Sequence, residues 1–334
     1  MFTVISGKNA NEVWSKALDI VTVSSDAESR AGNTKELLHA AISIEDPINK
    51  WVTCRNPPIS IAFALAELIW ILSESDDASV INYWNPSLHK YAGDYANYPG
   101  AYGKRIGYTY NMDQLEKIYE TLYNHPESRQ AVLLIWNPST DLPQNKGVPN
   151  NDDIPCNICS MIKVRNECLE WTQIMRSNDL SIGFPYDVVT FTSLQEILAS
   201  WLDVKVGSYN HISDSLHIYE SELTTINYTD VEFINIESLA ISKDDYKKVI
   251  GDIYNFMCEI SHKEDLTIGE LIRISDFDTG YRSYNNILKV LCAYAANKRK
   301  SIDAAERMIK SCTNSAYVSM WNNWKKALGG KNNG

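Results

Sequence analysis

What the chain lacks narrows its function before any motif is read. It has no basic excess: 31 Lys and Arg stand against 42 Asp and Glu, a formal net charge of −11. A general nucleic-acid binder needs a basic face, and the composition supplies none. An anionic small molecule is compatible with the charge, held by a few local arginines. There is no long apolar run. The most apolar stretch, ISIAFALAELIWIL at 59–72, is too short to span a bilayer and carries Glu67. The opening MFTVISGKNANEVW has no basic segment and no extended apolar one, so no signal peptide is expected. Cysteine is sparse and odd in number, 7 in 334 residues, which fits reduced thiols in a cytoplasm better than a disulfide scaffold. Neither an internal repeat nor a low-complexity block is present. The expectation is a cytoplasmic protein with no nucleic-acid and no membrane partner.

What is present is a chain 44% hydrophobic, enough for one large domain or two small ones. Helices are expected at 11–21, 34–41 and 59–73, the last introduced by Pro57 and Pro58, with Pro58 in its first turn. That third segment is apolar almost all round and is expected to be buried. A long aromatic, loop-like region at 76–106 holds a short helix near 77–84. A helix at 112–124, a buried strand at 131–136 and a turn-rich loop at 138–153 follow. Strands at 157–164 and 168–176 flank a turn at Arg165-Asn166-Glu167. After GFPYD comes a helix with Leu194, Ile197, Leu198, Trp201 and Leu202 on one face, and Asp187 in the capping position. Strands at 215–221 and 231–236 precede helices at 243–261, 283–298 and 302–327. Strands clustered between helices predict an α+β fold. The division expected is a domain over 1–240 and a helical extension over 241–334 packed on it.

Several residues carry chemistry on more than one reading. Cys156, at a loop–strand junction in DIPCNICSMIKV, is a core thiol or a nucleophile activated by a cationic neighbour. With Cys159 it forms a single CxxC pair; on a strand the two point to opposite faces, which argues against a metal or redox site. Arg176 and Ser177 form a pair suited to a phosphate, and Arg129 and Arg30 are further candidates; singly, each is as readily a surface charge. Glu67 lies within an apolar helix, as a turn that reaches the surface or as a perturbed, water-ordering acid. His217 and Tyr219 share a strand face and suit a sugar hydroxyl or an ordinary half-buried pair.

The order of these pieces resembles the thymidylate synthase family: SRAGNT, AELIWIL, PGAYGKR, HPESRQAVLLIWNP, IPCNIC, MRSNDLSIGFPYD and SLHIY, over roughly 28 to 221. The resemblance implies that family's mixed or antiparallel sheet flanked by helices, with residues 1–240 as the catalytic domain. It makes Cys156 the nucleophile at C6 of a pyrimidine nucleoside monophosphate. Arg30, Arg129, Arg176 and Ser177 become the phosphate site, with Arg129 donated across a homodimer. It places His217 and Tyr219 at the ribose, Asp179 and Gly183 at the folate pterin, and Trp84 along the cofactor wall. Glu67 orders water and Tyr102 assists proton removal at C5. The cofactor implied is 5,10-methylenetetrahydrofolate.

Three departures carry more information than the matches. Asn157 follows the cysteine where the family has His. Gln130 replaces the second arginine of the SRR motif. Asp187 replaces the Asn of Pro-Phe-Asn. Asn and Asp cap helices almost equally well, so capping does not explain the last change. Base recognition does. An Asn amide offers one donor and one acceptor to uracil, whereas an ionised carboxylate only accepts and is repelled by O4. Cytosine offers an amino donor at N4 and an acceptor at N3. A buried mismatch costs about 1–3 kcal/mol. The expected substrate is therefore CMP or dCMP, with Asp187 and Asn157 near the base and water capture giving a hydroxymethyl product, as in the cytidylate hydroxymethylase branch. The alternatives are methylation of dUMP or a cytidylate, and a non-catalytic nucleotide- or RNA-binding protein.

Overall fold

The computed structural model describes residues 1–29, 32–229, 235 and 237–331. Arg30 and most of the strand expected at 231–236 lie outside the described residues. By contact the described chain forms two compact units, Met1–Ile59 with Met112–Trp136 and Pro155–Asn235, and Ser60–Asn111 with Asn137–Ile154 and Ile236–Gly334. Both are discontinuous. The helices beyond 240 therefore group with 60–111, where the sequence reading divided the chain at 240.

The first unit is built on a mixed sheet. Its strands, numbered along the chain, are β1 (Thr3–Gly7), β2 (Ser25–Ser29), β3 (Gly32–Ile44), β5 (Val132–Leu134), β6 (Asn157–Arg165), β7 (Cys168–Met175), β8 (Asn178–Asp179) and β9 (Lys205–Tyr219). The order is β1-β3-β9-β7-β6-β5, with β2 on β3 and β8 on β9. β1–β3, β7–β9 and β8–β9 are parallel; the remaining pairs are antiparallel. Short strands β4 (Arg55–Asn56) and β10 (Asn227–Tyr228) pair separately. The β6–β7 turn holds Asn166 and Glu167 at φ 51 and 60, the left-handed pair that a two-residue hairpin requires.

Helices α1 (Ala10–Val21), α6 (Gln114–Asn124), α8 (Gly183–Trp201) and the short α9 (Glu220–Leu223) belong to this unit. Asn9 caps α1 by accepting from Glu12 N at 3.0 Å. Trp14 on α1 donates from Nε1 to Leu180 O at 2.8 Å, which pins α1 to the segment entering α8. One face of the sheet packs on α8: Phe184 meets His211 edge-on at 5.1 Å, and Phe191 lies 6.5 Å from Trp171. α8 is buried nearly all round, so its one charged pair is internal: Glu196 bonds Lys50, and both side chains are 1% exposed.

Two sequence expectations fail in this unit. Residues 34–41 are not helix but the middle of β3, hydrogen-bonded to β1 or β2 on one side and β9 on the other. KELLHAA is rich in helix formers, but sheet pairing outweighs a propensity of tenths of a kcal/mol per residue. Asp187 is not a cap. α8 begins four residues earlier, at Gly183, and Asp187 lies in its second turn.

The second unit is helical: α2 (Ile61–Leu72), α3 (Ala78–Trp84), α4 (His89–Ala92), α5 (Tyr102–Gly107), α7 (Pro138–Asp141), α10 (Lys243–His262), α11 (Ile268–Ser275), α12 (Arg282–Lys298), α13 (Ile302–Lys310) and α14 (Ser315–Lys331). Ser60 caps α2, so Pro58 precedes the helix and is not in its first turn. The single helix expected at 302–327 is two. Asn314 Oδ1 accepts from Ala316 N at 3.0 Å and Tyr317 N at 3.4 Å and starts α14 afresh. α11 carries a full capping box between Thr267 and Glu270. The loop from 137 to 154 is held by a buried bidentate pair, Arg105 to Asp141 at 2.8 and 3.0 Å.

Candidate functional site

In the first unit, Cys156 stands in a bend just before β6, half-buried and in no disulfide. Its neighbour in space is Arg176, at the end of β7. Arg176 N donates to Cys156 O at 2.9 Å, and Arg176 Nε donates to Pro155 O at 2.9 Å. The guanidinium lies 5.6 Å from the Trp136 ring centre. The hairpin thus places a cation beside the Pro-Cys segment, and cations favour the thiolate.

The next residues of the Arg-Ser-Asn-Asp run form β8, parallel to β9. Ser177 Oγ lies 3.5 Å from His217 Nδ1. His217 and Tyr219 share a face of β9, their rings crossing at 5.4 Å and 88°. Burial lowers the His217 pKa, which favours the neutral imidazole, and raises the Tyr219 phenol, with the Cys156 charge adding a little to the latter. Asp179 Oδ1 accepts from Ser181 N at 2.7 Å and Ile182 N at 3.1 Å, which closes the turn into α8. Burial also raises the Asp179 carboxyl.

Asp187 is the centre of the site. Its residue keeps a partly open face, but protein surrounds the carboxyl. Burial pushes it up to about 7, against the opposing pull of a hydrogen bond from Asn178. Asn178 Nδ2 donates to Oδ2 at 2.6 Å, and Asn157 Nδ2 lies 3.5 Å from Oδ1. Asn157 is fully buried, and its Oδ1 accepts from Gln173 Nε2. Gln173 Oε1 in turn accepts from Ser160 Oγ at 2.6 Å and Trp171 Nε1 at 3.2 Å. On β9 a second buried chain runs from Tyr209 Oη to His211 Nδ1 at 3.0 Å and from His211 Nε2 to Ser213 Oγ at 3.1 Å. Burial pushes His211 down to about 3, so it is neutral at physiological pH. Burial, and after it the negative charge of Asp187 when ionised, hold Tyr209 protonated.

Gly183 packs next to Asp187. A Cβ there would stand 3.6 Å from Asn178 Nδ2, 3.7 Å from Asp187 Oδ2 and 3.8 Å from Asp179 Cβ. Asn178 Oδ1 is buried without a hydrogen-bond partner. A buried acceptor without a protein partner is a place where a ligand donor can bind.

The structure therefore brings together Cys156, Asn157, Arg176, Ser177, Asp179, Gly183, Asp187, His217 and Tyr219. Arg129 and Gln130 are exposed in the turn before β5. In the second unit, Glu67 is half-buried on α2, whose other residues are all buried. Trp84 is 2% exposed, with its Nε1 unpartnered and its ring edge-on to Tyr83 at 4.8 Å. Tyr102 opens α5. The sequence reading missed Asn178, Gln173, Tyr209 and His211. The signal for Gln173 and His211 was a polar residue at the inward position of an alternating strand. Among the described residues no group of three or more His, Cys, Asp or Glu could hold a metal ion, and no helix is long and apolar enough to cross a membrane.

The mixed sheet thus carries a Pro-Cys bend, an Arg-Ser run and, on the helix packed against it, a buried acid. The thymidylate synthase family profile matches residues 20–259, and the chain belongs to that family. It is 32% identical over 231 residues to the deoxyuridylate hydroxymethyltransferase of Bacillus phage SP01, covering 66% of this chain and 59% of that protein. With the deoxyuridylate hydroxymethyltransferase of Pseudomonas phage M6 it shares 30% over 166 residues, 49% of this chain and 46% of that one. The thymidylate synthase of Lactococcus lactis subsp. cremoris (strain SK11) is 29% identical over 179 residues, 51% and 61%. The chain spans less than two thirds of the length of each of these relatives.

Proposed function

We propose that the protein transfers a one-carbon unit to C5 of a cytidine monophosphate, CMP or dCMP, and that water completes the product as a 5-hydroxymethyl nucleotide. The observation that carries the base assignment is Asp187: a buried carboxyl inside α8, with no capping duty, beside Gly183 and Asn178. Its neutral form donates to cytosine N3 and accepts from N4; its ionised form accepts from N4 and only repels O4 of uracil.

Arg176 and Ser177 hold the 5′-phosphate together with Arg30 and a partner subunit's copy of Arg129. His217 and Tyr219 hold the sugar. Cys156 adds to C6 as a thiolate that the Arg176 charge favours. Asp187 stabilises the N3–C4–N4 system while C5 is nucleophilic. The one-carbon donor is 5,10-methylenetetrahydrofolate, which supplies carbon at the oxidation level of formaldehyde; Asp179 and Gly183 would hold its pterin. C5 takes up that carbon and loses its own hydrogen as a proton, tetrahydrofolate leaves, and water adds to the methylene left on C5 as the Cys156 thiolate departs from C6, which gives the hydroxymethyl group. The roles that the resemblance gives Glu67, Trp84 and Tyr102 belong to the same proposal, as does the cytoplasm as its location. Support for a homodimer comes from exposed Arg129 and from the sheet face opposite α8, where Val132 and Leu134 are 40% and 43% exposed.

A second reading has one observation in its favour: two of the similar phage proteins are named for deoxyuridylate. A neutral carboxyl with its proton on the other oxygen also matches uracil. Incubation with CMP, dCMP, UMP and dUMP plus the folate donor, read by mass spectrometry, separates the readings. Hydroxymethyl and methyl products differ by about 16 Da, one oxygen. A product from cytidylates supports the proposal; turnover of uridylates alone defeats it.

A further inference from the structure

We propose that Asn178 sets the donor–acceptor polarity of Asp187 and supplies a second acceptor for an exocyclic amino group of the bound base. The proposal rests on the reading above, in which Asp187 meets the pyrimidine edge. Asn178 is 2% exposed on β8, and its Nδ2 donates to Asp187 Oδ2 at 2.6 Å. With Nδ2 donating to the carboxyl, the amide carries its Oδ1 on the side away from that bond. Its Oδ1 is thereby committed as an acceptor, and it is buried with no partner. An unpaired buried carbonyl is costly, and a site tolerates one where a ligand completes it.

The second consequence concerns the proton on Asp187. The short bond from Asn178 occupies Oδ2, whereas Asn157 reaches Oδ1 only at 3.5 Å. When the carboxyl is neutral its proton therefore sits on Oδ1. Asn157 does not reverse this, because its own amide is oriented by Gln173, and Gln173 by Ser160 and Trp171. The order of donors and acceptors is thus fixed from Trp171 to Asp187. Gly183 adds no side chain beside the Asn178 amide and the Asp187 carboxyl. An amino group at C4 brings two N–H bonds for two acceptors, Asp187 Oδ2 and Asn178 Oδ1. A carbonyl at C4 meets an acceptor from each, so Asn178 adds to the repulsion that an ionised Asp187 imposes.

The test is calorimetric titration of CMP, dCMP, UMP and dUMP, without folate, into the wild type, Asn178→Leu, Asn178→Ala and Asp187→Asn. Asn178→Leu keeps the volume and removes the polar atoms. It is expected to weaken the preferred cytidylate about tenfold or more and to change uridylate binding less than about threefold. A general loss of fit moves both bases equally, so the ratio is the readout. Equal losses, or no loss, overturn the proposal. If Asn178→Leu fails to fold, Asn178→Ala gives the same comparison; if neither folds, Asn178 is structural and the proposal falls. Wild-type preference for uridylates, or an unmoved preference in Asp187→Asn, overturns the base reading itself. Cytidylate preference that shifts in Asp187→Asn but not in the Asn178 variants overturns only the role of Asn178.

Discussion

Asp187→Asn is the most informative single change, because it alters stability and base choice by one cause. Burial moves the carboxyl from 3.8 to about 7. At about 1.4 kcal/mol per tenfold in proton affinity, this corresponds to about 4 kcal/mol by which the folded protein prefers the neutral acid. Because the folded value lies above the unfolded one, the stabilising contribution is complete below pH 4. It declines as pH rises and is gone above pH 7. Between pH 5 and 8 the wild type should lose about 3 kcal/mol from this group. An Asn amide has nearly the same shape, accepts from Asn178 and does not titrate. The variant should therefore be less pH-dependent and, at pH 8, more stable than the wild type. Denaturant unfolding of both proteins from pH 5 to 8 measures this. Parallel pH slopes would show that the carboxyl is not held neutral, and the account of its proton would fall with them.

Cys156→Ala should abolish exchange of the C5 hydrogen of CMP or dCMP with solvent, since no other group forms the C6 bond; tritium release measures it, and residual exchange at the wild-type rate removes Cys156 from the mechanism. His211 is buried neutral at about 3, below its ordinary 6.5. Its contribution is therefore lost as pH falls through that window, and His211→Asn should flatten the acid limb of stability between pH 6 and 3 in thermal unfolding, even if it lowers stability overall.

Much of the site was legible because it is written in contiguous runs. IPCNIC and MRSNDLSIGFPYD each carry several site residues, and the β6–β7 hairpin that joins Cys156 to Arg176 followed from alternation around Asn166 and Glu167. What was not legible depends on pairing across the chain. Residues 34–41 look helical locally and become strand because β9 lies 175 residues away in sequence, for example His39 opposite Asp214. Pro185 sits inside the first turn of α8, where proline is tolerated, so GFPYD reads locally as a turn ahead of the helix although the helix starts at Gly183. Asn178 carries no local signal; its value comes from a partner nine positions on, at 2.6 Å. The capping box at Thr267 and Glu270, by contrast, is written locally as T-x-x-E.

The central claim is that the Asp187 carboxyl reads the C4 edge of a pyrimidine. A crystal structure with a cytidylate bound tests it most directly. The account predicts the carboxyl within hydrogen-bonding distance of N4 and N3. A base seated in the site with that side chain turned away from its edge would contradict it.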